Sequence, residues 1–188
     1  MASLALPADL FAIVTTSDRS QKSPLWKSLL DWPRSGDSHI DYAADTLARR
    51  NIWAARLDQA VLRSEKPVLL VASGESCLAT AWWARLSPAS YVSKVAGALL
   101  FAPTPGDEAD SRFASPRAAL PFPSAVIDHA SHDRIEALAQ GWGSAFEKDW
   151  EGPAEARAWH QAQAMLMRMT ASLVERRMRA ADALGIPG

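Results

Sequence analysis

The sequence predicts an α/β domain: three layers, with a mainly parallel sheet of about five or six strands and a long C-terminal helix. Three observations predict it. Short apolar runs, among them "LFAIVTT", "VLLVA" and "KVAGALLFAP", read as strands buried on both faces. Segments with apolar residues at helical spacing separate them. Strands that alternate with helices need crossover connections, and these place helices over both faces of a parallel sheet. The chain has 188 residues, enough for one domain over 1–188 with a substantial core.

The elements follow in order. Leu10 to Thr16 is the first strand. "SDRSQKSPLWKSLL" begins as a polar loop, and Pro24 opens a helix with Ser23 as its N-cap. "DWPRSGDS" is a turn-rich loop, and "HIDYAA" is a short strand. "DTLARRNIWAARLDQAVLRSE" is a helix, with Ile52, Trp53, Leu57, Ala60 and Val61 at helical spacing. Pro67 ends it. "VLLVA" is the next strand, and "SCLATAWWARL" the helix after it. "KVAGALLFAP" is a further strand, closed by Pro103. "TPGDEADSRFASPRAALPFP" reads as a long Pro-rich loop. Then come strand "SAVIDHA", helix "HDRIEALAQGW" and a last strand, "SAFEKDW". Residues 153–184 form one long helix. Trp82 and Trp83 are adjacent and cannot share a helix face, so one packs on the sheet and the other lies near an edge.

Composition narrows the function. The chain is 48% apolar and 22% charged, with net charge −1, so no bulk charge draws it to nucleic acid or to an acidic membrane. No apolar run approaches the ~18 residues of a membrane span. "MASLALPADLF" does not read as a signal peptide. One cysteine, Cys77, excludes an internal disulfide and fits a cytoplasmic protein. Four scattered histidines give no metal-ligand spacing, and neither metal nor cofactor is expected.

In parallel sheets, chemistry sits beyond the carboxyl ends of the strands. That places Thr15 to Ser23, Ser73 to Cys77, and Asp128 to Asp133 on one rim, with Thr16, His129 and His132 among the candidate binding residues. The middle loop belongs to "PVLLVASGESCLATAWWARL", a strand, a tight small-residue turn and a helix. This is the form of a nucleophile elbow, G-x-S-x-G, whose central residue takes a strained backbone while small neighbours let the turn close. Two registers fit. In one, Gly74-Glu75-Ser76-Cys77-Leu78 puts Ser76 at the tip, but Leu78 crowds the turn. In the other, Ala72-Ser73-Gly74-Glu75-Ser76 closes easily and puts Gly74, which has no hydroxyl, at the tip. Glu75 suits the N-terminus of the following helix.

"LVASGESCLA", Leu70 to Ala79, resembles the L-V-A-H-S-L-G-C-L-A elbow of a known family. "KVAGALLFAP", "LPFPSAVI", "ALAQGWGSAF" and "IWAARLDQAV" resemble its neighbouring segments. The family is the small single-domain α/β-hydrolase family of the retinoblastoma-binding serine hydrolase and its bacterial relatives. The resemblance implies an α/β-hydrolase-like fold and a serine-hydrolase ancestry. Aligned without gaps, the family's nucleophile falls on Gly74 and its elbow histidine on Ser73.

The departures fall where the chemistry belongs. The family's glycine-rich loop after the first strand is replaced by "TTSDRSQKSPLW". Its acid loop is shortened to "DHASHDRIEALA", leaving Asp133 or Asp128. Its G-H-I-N base motif is absent, and His160 lies nearest, inside the last helix. The expectation is a catalytically impaired member that binds a small ligand or a protein partner, with Ser73, Gly74, Glu75 and Cys77 at the elbow. The alternative is an active hydrolase of small carboxylic esters or thioesters. There Ser76 is the nucleophile, His160 or His132 the base, and Asp133 or Asp128 the acid. His39 is a further histidine without an evident partner. Nucleic acid and membrane are not expected partners. The last helix carries a cluster at Met165 and Met169 that suits an adaptable surface, and it offers a route to a homodimer.

Overall fold

The computed structural model describes residues 10–18, 36–43, 45–104, 113, 118–128, 133–146 and 154–183. The helix expected from Pro24, most of the Pro-rich loop, His129, His132 and residues 147–153 lie outside the described residues.

Among the described residues, five strands form one sheet: β1 Ala12–Asp18, β2 Ser38–Tyr42, β3 Val68–Ser73, β4 Val95–Phe101 and β5 Ser124–Ile127. Their spatial order is β2-β1-β3-β4-β5, and every pairing is parallel. The described helices are α1 Leu47–Arg63, α2 Ser76–Leu86, the short α3 Ala89–Val92, α4 Asp133–Trp142 and α5 Ala154–Ala183. The parallel three-layer arrangement is the one the apolar runs predict.

The two faces bury different helices. Val14, Leu70, Ala72, Ala98 and Leu100 face α1, α2 and α4 in one core cluster. Ile13, Leu69, Val71 and Leu99 face α5 in the other, against Ala162, Met165, Leu166 and Met169. The period-two alternation of each strand makes this division. Buried on both sides, the strands carry no polar face to mark their ends, which is why they read as plain apolar runs.

Local chemistry sets the helix ends. Thr46 caps α1, its hydroxyl accepting from Arg49 N at 3.3 Å. The sheet-facing stripe of α1 is Trp53, Leu57 and Val61. Ile52, expected in that stripe, is exposed: it lies a quarter turn off the i, i+4, i+8 line. Trp83 is buried and donates from Nε1 to Asp58 Oδ1 at 2.8 Å, tying α2 to α1. Trp82 sits half-buried, tilted against Phe113 at 6.1 Å between ring centroids. The adjacent tryptophans therefore divide as their spacing requires.

Two expectations change. β1 begins two residues later than predicted and runs on to Asp18, because Ser17 and Asp18 pair with Asp41 and Tyr42 of β2. "SAFEKDW" contributes only a single parallel bridge, Ala145 to Ala125, in its described part.

The chain leaves β1 outward to β2, then returns past β1 to lay down β3 on the other side. The order therefore reverses between β1 and β3. Their carboxyl ends, Asp18 and Ser73, therefore flank the switch point, the place at which parallel sheets generally bind ligands.

Candidate functional site: the elbow between β1 and β3

β3 ends at Ser73, and α2 starts at Ser76, so the turn is Gly74-Glu75. Gly74 has φ +66°. A side chain is disfavoured in that left-handed region, and glycine is not. Glu75 already has helical angles, φ −61° and ψ −27°. The backbone thus adopts the register with Gly74 at the tip. Gly74 N donates to Phe101 O at 3.0 Å, and its carbonyl accepts from Cys77 N at 3.2 Å.

Ser76 is one step inside the helix, and 0% of its surface is exposed. Its hydroxyl lies 2.7 Å from Ser73 O and 3.0 Å from Thr16 O, both acceptors for its one proton. It also accepts from Ser73 N at 3.1 Å. This hydroxyl closes the turn and ties it to β1. The alternative register set Ser76 at the tip; in the fold it is enclosed, and the tip lies two residues earlier, at Gly74.

Cys77 is enclosed, with Sγ 3.5 Å from Phe101 O. Burial pushes its thiol well above the ordinary range, and the charges of Asp18 and then Asp128 push it further. A thiol so held stays protonated and packs. Thr16 is also buried: its Oγ1 accepts from Trp53 Nε1 at 3.0 Å. Ser73 is buried, and its Oγ makes no hydrogen bond. Thr16, Ser73 and Cys77 therefore build the elbow from within and offer a ligand no reachable group.

Two half-buried carboxylates, Asp18 and Glu75, lie at the tip. Asp18 Oδ2 accepts from Glu75 N at 3.2 Å. Glu75 Oε1 accepts from Tyr42 OH at 3.1 Å. Asp18 is raised above the ordinary carboxylate range, first by burial. The hydrogen bond from Glu75 N opposes that rise, and the nearby Glu75 charge adds to it. The amide of the residue after the tip is the one that, in a working elbow, holds the anionic oxygen of the tetrahedral intermediate. Here the Asp18 carboxylate occupies it. The sequence carried a sign of this in the acid of "TTSDRS", where a glycine-rich loop was expected, but not the contact itself.

The remaining candidates disperse. Asp128 follows β5 on the same rim, half-buried, and its charge reaches Cys77. Asp133 opens α4 and is exposed. His160 is exposed on α5 and lines a cavity of ≈ 230 Å³ with Ala125, Ala145, Phe146 and Gln161. No elbow residue lines that cavity. α5 and the elbow helix α2 cover opposite faces of the sheet. The structure therefore does not assemble Ser76, His160 and Asp133 into one group. His39 lies on edge strand β2, its Nδ1 2.8 Å from Thr15 Oγ1 and its Nε2 3.3 Å from Asp41 Oδ1.

Comparison with known proteins agrees with this architecture. No curated protein matches the sequence. A solved structure described as a YdeN-like hydrolase from Pectobacterium atrosepticum is similar with a TM-score of 0.58 at 18% identity, over 85% of this chain and 89% of that one. That likeness speaks for the fold. The sequence model of the family named "Serine hydrolase" matches residues 16–166, from the end of β1 through the first half of α5. With the parallel sheet, the reversal of strand order and a left-handed glycine at the elbow, this match makes the chain a member of the serine hydrolase family.

Proposed function

We propose that this serine-hydrolase-family protein is catalytically silent and acts by binding a small ligand or a protein partner. One observation carries the reading: the elbow tip is Gly74, at φ +66°, so the position that presents the nucleophile has no hydroxyl. Three others support it. Asp18 sits on the Glu75 amide, where an anionic intermediate would need an open donor. Of the serines beside the tip, Ser76 is enclosed and engaged and Ser73 is buried. His160 lies on α5, across the sheet from α2. A triad needs nucleophile, base and acid within hydrogen-bond reach of one another.

The test is labelling of the folded protein with a fluorophosphonate probe, beside Ser76→Ala. The expected result is no covalent adduct in either protein by intact mass. An adduct lost in Ser76→Ala would overturn the proposal and restore Ser76 as nucleophile. An adduct kept in both would overturn it in favour of another serine.

A further inference from the structure

α5 is longer than the sheet it covers. Ala162, Met165, Leu166 and Met169 are the face it turns to the strands. On the opposite side, Met167, Ala171 and Val174 follow one another at i, i+4 and i+7. Met167 is 66% exposed and Val174 45%, and Ala171 is exposed between them. Arg168 and Glu175, both exposed, flank this stripe on one side, seven residues apart. In a heptad frame, Met167 and Val174 take one seam position, Ala171 the other, and Arg168 and Glu175 the same flanking position.

That charge pattern is self-complementary in one orientation. Laid antiparallel and centred between Ala171 and Ser172, two copies place Arg168 of each level with Glu175 of the other. A two-fold axis keeps both flanking positions on the same side, so two opposite-charge pairs close over the seam. Laid parallel, a two-fold axis along the helices puts the two copies of this flanking position on opposite sides of the seam, so Arg168 and Glu175 form no pair across it. We infer that the outward face of α5, Met167, Ala171 and Val174 with Arg168 and Glu175, is the contact surface for a second copy of this chain in antiparallel pairing. The inference is independent of what the elbow does.

Sedimentation of the full chain over a range of concentration tests it. The wild type should show a concentration-dependent mass that Val174→Glu reduces to monomer. Arg168→Glu alone and Glu175→Arg alone each place like charges opposite one another twice, and each should weaken association by about tenfold. Mixing these two variants restores opposite charges at both pairs and should restore association to the wild-type level. Glu175 also lies 3.8 Å from Arg179 in its own helix, and Arg168 Nε lies 3.4 Å from Ala164 O, so the mixture of the two variants is the decisive comparison. Oxidative crosslinking reads the orientation. Ala171→Cys, near the axis, should crosslink to its copy, whereas Met167→Cys, in the same seam, should not, since its antiparallel twin would lie roughly 14 Å away along the helix. Cys77 is enclosed and gives no background. A monomer at every concentration would overturn the inference, as would a mixture no tighter than its components or crosslinking at 167. These results leave the labelling outcome untouched.

Discussion

Ser76 illustrates how one hydroxyl is read twice. In the sequence it is the serine nearest an elbow; in the fold it is a buried clasp between Ser73 and Thr16. Ser76→Ala should therefore cost stability. Removing the hydroxyl orphans Ser73 N in a buried site, an effect of about 1–3 kcal/mol in urea-unfolding midpoints analysed as free energy. Unchanged stability would refute the clasp. Asp18 makes a second residue-scale prediction. Its folded-state proton affinity is raised, so it favours the folded state most when protonated, below the ordinary carboxylate range. That contribution is lost as pH rises through its elevated folded value. Asp18→Asn keeps an acceptor for Glu75 N and removes the desolvated charge. It should match or exceed wild-type stability at pH 7, with the difference shrinking as pH falls below about 4. Melting curves across that range decide it, and a variant less stable at pH 7 would refute the assignment.

At the scale of elements, β4 and α5 meet more closely than side chains normally allow. A Cβ on Gly97 would lie 2.7 Å from Met169 Sδ and 2.9 Å from Pro123 O. The methionine can give way, and the carbonyl of the segment entering β5 cannot. Gly97→Ala should cost about 1–3 kcal/mol, measured by denaturant unfolding. The same elements show what a sequence discloses. Apolar runs placed β3, β4 and β5 because burial on both faces leaves a composition signal. They misplaced the start and end of β1, because Ser17 and Asp18 look like loop residues until β2 is beside them. α3, four residues long, has too little periodicity to be seen. The helix face of α1 was read correctly at Trp53, Leu57 and Val61 and wrongly at Ile52, where an apolar residue stands off the stripe.

At the scale of the whole molecule, the parallel sheet was legible, since alternation of strands and helices implies it; the reversal between β1 and β3 was not, because alternation leaves the strand order open. The turn at Gly74 was legible as one of two registers, and backbone conformation chose between them. The seat of Asp18 on Glu75 N was not, because a contact across 57 positions of sequence leaves no local pattern. The Ser76 hydroxyl spans a similar distance, meeting a carbonyl 60 positions away. Such a bond cannot form until the intervening chain, with β2 and α1 in it, has been gathered up. Its worth should then appear in how long the folded molecule lasts rather than in how fast it is reached. In stopped-flow measurements, Ser76→Ala should unfold faster than the wild type and refold at nearly the same rate. The residue that looked built to break a bond would then serve as a latch, fastened last and setting the lifetime of the native state.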